Sequence, residues 1–398
     1  MSLISRRALL GGSALFAGNW AHTRAHADGR IKITRFVLHK ATLRWRDLLF
    51  LEVHTDAGLV GLGEGTCHNR VDVVEAAIRW LEPYLRGQDP SGPEFHWNRN
   101  YYGLTRWRTG PMLMTALSAV DIALWDIEGK RLGVPVWRLL GGPIHRRFRV
   151  YFSHWTNEMK DRTLAGFAAR AVETKAKGWT AAKWSVPRGG AETERIDQTV
   201  AQVEAVRKAA GRGFDICLEL FESFSPRAAL RLARAVAPYD VFFIEEPIQR
   251  ENPSAFRELA AQSPVPIATG EGLLSRFEFK QLLDAKGASI IQPDVVKCGG
   301  ITEITKIAHL AEAYGVEVAP HQPYGPIAHV ASLHAMSVCR NFLIHEWEAD
   351  DEELYSELTA GRFPRQQGGE VTLPDGPGLG IEVDFKEFVR RYPYRPRG

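Results

Sequence analysis

Cysteine is scarce in this chain: Cys67, Cys217, Cys298 and Cys339 are all that 398 residues contain, and no pair has C-x-x-C spacing. That argues against a zinc site of paired thiolates and leaves buried free thiols as the plain expectation. Net charge is scarce as well. Fifty Lys and Arg against 47 Asp and Glu leave +3, and no basic run interleaved with aromatics follows residue 30, so nothing points to nucleic acid. Leu62-Gly63-Glu64-Gly65 carries glycines, but no full G-x-G-x-x-G opens a helix there, and no nucleotide site is indicated. Low-complexity segments are missing too. What remains is ordinary globular composition, 45% hydrophobic and 24% charged, in a length that suits two domains or one large barrel with additions.

The first 27 residues stand apart. Ser5-Arg6-Arg7 precedes an apolar stretch from Ala8 to Trp20, and Ala25-His26-Ala27 follows. The stretch is short and Gly-rich for a membrane span. A charged start, a short apolar core and an A-x-A site read as an export signal of the twin-arginine type over residues 1–27, giving a periplasmic address. The alternative is a plain tail or a mis-assigned start codon, and a cytoplasmic protein.

Residues 30–148 read as an α+β module. Three strands (IKITRFVLHKATL, DLLFLEVHT, LVGLGEG), with a turn at Asp56-Ala57-Gly58, precede helical patterns at VDVVEAAIRWLEPYLRG and MLMTALSAVDIALWDIEGKRLG. The second of these reads as amphipathic and ends at Gly133, with Pro135 beyond. From residue 149 to 346 the rhythm is strict alternation. VYFSH, TAAKWS, DICLEL, VFFIEE, PIAT, SIIQP, VEVAP and FLIHE are strand candidates separated by helical segments. Eight strands with seven helices between them predict a parallel α/β barrel. Residues 347–398 are rich in Pro and Gly and are expected to pack back on the first module.

Barrel chemistry gathers at the C-terminal ends of strands, and those ends carry a coherent set. Glu219, Glu245 and Glu271 recur at intervals of 26 residues, about the length of a strand and its return helix. That spacing predicts three carboxylates at one height on neighbouring strands, an oxygen donor set suited to Mg²⁺. Asp294 and His321 are one strand–helix unit apart. A carboxylate beside an imidazole fixes its tautomer and raises its basicity, which makes His321 a candidate general base. Lys183, with Ala181, Ala182 and Trp184 around it, offers a cation for a substrate carboxylate or a developing oxyanion. Glu346, if protonated or shared, offers a hydrogen bond from the opposite edge.

These residues resemble the enolase superfamily and, within it, the mandelate racemase subgroup (the mandelate racemase/muconate lactonizing enzyme family). The motifs that carry the likeness are SAVDIALWDIEGKRLGVPVWRLLGG from Ser118 to Gly142, then FIEEP, GE, QPD and APH. The resemblance implies a (β/α)7β modified TIM barrel under an N-terminal α+β capping domain. It also implies one Mg²⁺ per subunit on Glu219, Glu245 and Glu271, an Asp294–His321 catalytic dyad, a small carboxylate substrate, and homo-oligomers from dimer to octamer.

The stretch from Leu273 to Ala328 looks most like galactonate dehydratases. In that branch the first ligand is Asp, followed two residues on by an acidic His; here the positions hold Glu219 and Phe221. Racemases of the group carry a second strand-two lysine, where this chain has Ser185. With one placed base, the resemblance implies one-sided elimination. His321 would remove the proton α to a carboxylate, then in its protonated form assist departure of the β-hydroxyl, giving a 2-keto-3-deoxy acid. Substrate choice would lie with cap loops carrying Arg44, Trp45, Arg46, His68 and Arg70, and with Ser185, Phe221 and Tyr324. Competing readings are a racemase, epimerase or cycloisomerase using the same enediolate, and a non-catalytic exported binding protein.

Overall fold

The computed structural model describes residues 31–103 and 108–396; the expected export signal lies outside them. Three antiparallel strands come first: β1 (Ile33–Leu43), β2 (Arg46–Thr55) and β3 (Val60–Glu64), paired in that order. Helices α1 (Val71–Leu85), α2 (Pro93–Gly103) and α3 (Pro111–Leu132) follow, then the single turn α4 (Val136–Leu139). The start of α3 is set by Pro111, whose fixed φ suits a first helical position, and its end by Gly133 at φ 69°.

The pattern of α3 suggested an amphipathic helix; the fold buries it on nearly every side. One side meets the cap sheet so closely that a Cβ on Gly63 would lie 2.1 Å from the Ala119 carbonyl oxygen, so only glycine fits. The other side grips the barrel. The Asp121 carboxylate accepts from the Thr302 backbone N–H (2.9 Å) and hydroxyl (2.6 Å), and Ser118 Oγ accepts from Gly299 N–H (2.9 Å). Hence α3 is the piece that seats the cap.

Eight parallel strands build the barrel: β4 (Arg147–Phe152), β5 (Ala181–Ser185), β6 (Asp215–Glu219), β7 (Phe243–Glu245), β8 (Ile267–Thr269), β9 (Ile290–Ile291), β10 (Glu317–Val318) and β11 (His345–Trp347). Helices α5 (Leu164–Ala176), α6 (Glu192–Ala210), α7 (Pro226–Val236), α8 (Pro253–Gln262), α9 (Arg276–Asp284), α10 (Gly300–Ala313) and α11 (Pro326–Met336) connect them in turn. A parallel bridge between Val318 and Phe342 closes the ring between β10 and β11. Its floor is a buried layer with one residue from each strand or its flank: Tyr151, Ala181, Cys217, Phe243, Ala268, Ile290, Ala319 and Ile344. Small residues opposite Tyr151 and Phe243 let these rings fill the bore. The polar site rests on this dry layer. All four cysteines are free, and no helix among the described residues is long and apolar enough to cross a membrane.

The tail divides between both modules. After α12 (Glu352–Leu358), β12 (Glu370–Thr372) pairs antiparallel with β4 of the barrel. The tail also meets the cap, through Tyr355 of α12 accepting from Arg46 of β2, through Leu379 N–H donating to Asp126 of α3 at 2.8 Å, and through α13 (Phe385–Arg391), with Phe385 stacked on His39 at 4.5 Å and Phe388 against Phe50 at 5.2 Å.

Three buried histidines couple this core to pH. Burial pushes His334 and His345 down to about 4 from an ordinary 6.5, and holds His329 well below it. Below pH 6.5 the unfolded chain takes protons that the folded chain refuses, so stability is complete above that pH and falls toward pH 4. Each histidine contributes up to about 1.4 kcal/mol per pH unit in this window. Buried Glu64, Asp121 and Glu246, raised to about 7, 7 and 8, act in the opposite sense, so the histidine share is read by difference. Between pH 7 and pH 5 the urea midpoint of His345→Gln should fall less, or rise more, than that of wild type, and an identical pH dependence would contradict this.

Candidate active site

Strand register positions the first two glutamates. Ser185, Glu219 and Glu245 are direct neighbours across β5, β6 and β7, so the two carboxylates stand level. The third does not share that height. Glu245 pairs with Ala268, and Glu271 lies beyond the end of β8, after Gly270 at φ 123°. It reaches the others from the loop. Ligand-capable atoms of all three lie within 4.8 Å of one another.

Asp294 and His321 also come off loops. Each lies three residues past the paired Ile291 and Val318, so the offset is the same and the two meet. The Nδ1 of His321 is 2.8 Å from Asp294 Oδ2, and its Nε2 is 3.0 Å from Glu271 Oε2. Asp294 also accepts the Val296 backbone N–H at 2.8 Å. With Asp294 accepting a hydrogen bond from Nδ1–H, Nε2 is the atom that faces the carboxylate cluster. The loop itself is held from the cap. Buried Glu64 accepts the N–H groups of Gly325 (2.7 Å) and Ala328 (3.0 Å) at the start of α11.

Lys183 takes a place unlike the one expected of a free substrate-binding cation. Its ammonium lies inside the cluster, donating to Glu245, 3.0 Å from Glu346 and 3.9 Å from Glu219. Gln292 donates to the other oxygen of Glu245. Glu346 accepts from Ser153 Oγ (2.5 Å) and Gln322 N–H (2.7 Å). Burial works against its charge, but Lys183 and His321 hold it well below the usual carboxylate range. Of the two forms considered from sequence, protonated or shared, these contacts make Glu346 a shared carboxylate held in its ionised form.

Negative charge is crowded here. Burial, and then the neighbouring Glu245, push Glu219 well above the ordinary carboxyl range. Burial opposes a charged imidazole at His321, yet Glu271, Glu346 and Asp294 together outweigh it and raise His321 to about 10. The space between these groups is about 20 Å³, the size of one water or a small ion. Convergent oxygen donors, a carboxyl forced toward its neutral form and an ion-sized space all suit a hard divalent cation. A cavity of about 570 Å³ lies far from this chemistry, between α1 and α2, lined by Trp80, Tyr84 and Leu113.

The residues expected to bind substrate scatter. Ser185 and Phe221 line the site, with the Arg188 guanidinium 3.8 Å above the Phe221 ring. Trp45 packs on His154 at 4.6 Å and on His68 at 5.3 Å. Arg46 is a correction: it is fully buried and donates to Asp351, Glu348 and Tyr355. Arg44 is engaged with Asp351 (2.7 Å) and Glu158 (2.5 Å), and exposed Arg70 donates to the Asn69 carbonyl. These arginines tie the cap to the tail or stay at the surface. Tyr324 is buried, its ring 5.8 Å from His321. Sequence reasoning missed His154 and Glu348, although His154 follows β4 as directly as the residues that were found follow their strands.

Residues 166–387 match the family described as enolase C-terminal domain-like, and residues 25–141 match the N-terminal domain of mandelate racemase/muconate lactonizing enzymes. The chain is 40% identical over 370 residues to a D-galactonate dehydratase of Ralstonia nicotianae, covering 91% of this chain and 94% of that protein. A D-galactonate dehydratase of Cronobacter sakazakii is 36% identical over 374 residues, with the same coverage of each chain. Among solved structures, a mandelate racemase/muconate lactonizing enzyme from a Jannaschia species superposes with a TM-score of 0.84 at 32% identity, covering 92% of this chain and 99% of its own. One from a Sulfitobacter species gives 0.84 at 30% identity, covering 92% and 97%.

Proposed function

This chain belongs to the mandelate racemase/muconate lactonizing enzyme family of the enolase superfamily, and from that premise we propose that it is a Mg²⁺-dependent hydro-lyase that dehydrates an acid sugar to a 2-keto-3-deoxy acid. One observation carries the reading: the Nε2 of a carboxylate-held imidazole, His321, faces a three-carboxylate cluster at 3.0 Å. An acid sugar has the two features this arrangement uses, a carboxylate for the cation and an acidified C–H beside it for the base.

Glu219, Glu245 and Glu271 would hold the ion. When bound, Mg²⁺ supplies the positive charge that stabilises the dianion left by α-proton removal. The protein's own groups do the rest. Asp294 keeps the Nδ1 proton in place, and His321 Nε2 takes the α-proton. Gln292 and Lys183 orient Glu245. The dry layer below the site excludes water from the floor. A sugar-sized molecule needs more than the roughly 20 Å³ between these groups, so its binding requires lining side chains to shift.

Elimination is favoured over racemisation because a two-base exchange needs a proton carrier on each face of the α-carbon, and Ser185 stands where a second strand-two lysine would act. Relatives named D-galactonate dehydratase support the dehydratase class; Glu219 and Phe221 make the preferred sugar a separate question. Export over residues 1–27 and homo-oligomeric assembly belong to the same proposal. Screening an acid-sugar library for 2-keto acid formation with Mg²⁺ present tests it, and an enzyme inert toward every acid sugar would refute it.

A further inference from the structure

We propose that His154, held by Glu348, is the general acid that protonates the departing β-hydroxyl. The inference rests on the dehydratase reading above and supplies the proton donor that Phe221 cannot be.

The site contains a second carboxylate–imidazole dyad built like the first. His154 follows β4 and Glu348 follows β11, and these strands are paired, Phe152 with Trp347. The His154 Nδ1 lies 2.5 Å from Glu348 Oε1 and 3.0 Å from Ser153 Oγ. Both contacts fall on Nδ1, which leaves Nε2 to carry a transferable proton. Glu348 is buried and is itself 3.4 Å from Arg46 Nη1, so its position is fixed from the cap. This gives the buried arginine a purpose other than substrate binding: it anchors the carboxylate that orients the imidazole.

Placement separates the two roles. His321 touches Glu271 at the metal end, where the substrate carboxylate and its α-carbon belong. His154 lines the same pocket and packs on Trp45 of the cap loop. It follows β4, four strands from β8 and so across the ring from Glu271, and a substrate held by its carboxylate at the Glu271 end would direct its further carbons toward it. Its backbone is in the left-handed region at φ 48°, a conformation retained when the surroundings demand it. Other lining groups are less suited to the task. Lys183 is locked among three carboxylates, and a serine hydroxyl such as that of Ser185 is a poor acid.

The step balances. His321 Nε2 takes the α-proton, and the C–H electron pair moves into the carboxylate. As that pair returns to form the Cα=Cβ bond, the Cβ–O bond breaks. Its electrons stay on oxygen, which gains the Nε2 proton of His154 and leaves as water. The enol becomes the keto acid as carbon β takes a proton equal to the one held by His321. The enol O–H proton passes through solvent to His154, so both imidazoles end as they began.

The test compares His154→Asn with wild type on the acid sugar that wild type dehydrates and on its 3-deoxy-3-fluoro analogue, whose fluoride needs no proton to leave. Dehydration by the variant should fall by about 10²–10⁴-fold. Deuterium exchange at C2 and fluoride elimination should stay near wild type, and so certify a folded, base-competent site. Glu348→Gln, a positioning variant, should show the same pattern in milder form. Dehydration near the wild-type rate would overturn the assignment. A parallel fall of dehydration, exchange and fluoride release would overturn it too, because that is the mark of a merely structural residue. A wild-type enzyme that exchanges the C2 proton without ever forming a keto acid would overturn the dehydratase reading itself.

Discussion

In His321→Asn, solvent deuterium no longer enters C2 of the substrate, and turnover falls by about 10²–10⁴-fold, the usual worth of a positioned general base. Asparagine keeps a polar group in contact range of Asp294 but has nothing equivalent to the Nε2 that stands 3.0 Å from Glu271. Proton abstraction is the first chemical event, so both readouts fall together. That distinguishes this variant from one at the donor side of the pocket, where exchange survives. The three carboxylates are untouched, so Mg²⁺ should still raise the variant's unfolding midpoint. Exchange that persists in His321→Asn would place the base elsewhere and sink the proposed mechanism.

Metal removal gives the second large effect, and it carries a proton signature. Chelation should suppress turnover by about 10³-fold or more, since a Lewis acid at a developing dianion is worth several kcal/mol. Without metal, Glu219 is pushed toward its protonated form by burial and by Glu245, and His321 is raised to about 10, chiefly by Glu271 against the opposition of burial. His321 therefore holds a proton near pH 7, and Glu219 is biased toward holding one. A divalent cation on these glutamates favours ionised Glu219 and cancels the charge that raises His321, so proton release accompanies binding of the ion. Calorimetry in two buffers of different ionisation enthalpy should show proton release, and apparent affinity should rise with pH. In Glu245→Gln the ion loses a ligand, Lys183 loses one of its three buried partners, and Mg²⁺ should no longer stabilise the fold. Binding that is independent of pH and releases no proton would contradict this electrostatic account.

Much of the barrel was legible because its signals are local. Each short apolar run ends in a polar residue, and the spacing between runs matches one strand plus one helix. What escaped was set by contacts distant in sequence. Arg44 and Arg46 look like exposed cap-loop cations until Asp351 and Glu348, some 300 residues on, are brought beside them. Helix α2, PEFHWNRNYYG, has no apolar stripe to announce it and is held by contacts such as Trp97 Nε1 donating to the Gly299 carbonyl at 2.8 Å. Even spacing of the glutamates concealed the offset of Glu271, because a glycine at positive φ extends the loop before it. Lys183 was seen as a cation at a strand end, but only the folded register puts it among Glu219, Glu245 and Glu346.

The most direct test of the central claim is product analysis in D₂O. The enzyme, with Mg²⁺, is incubated with individual acid sugars, D-galactonate among them, and the mixtures are followed by NMR. The account predicts a 2-keto-3-deoxy acid carrying solvent deuterium at C3. Recovery of epimerised substrate with deuterium at C2 and no keto acid would contradict it.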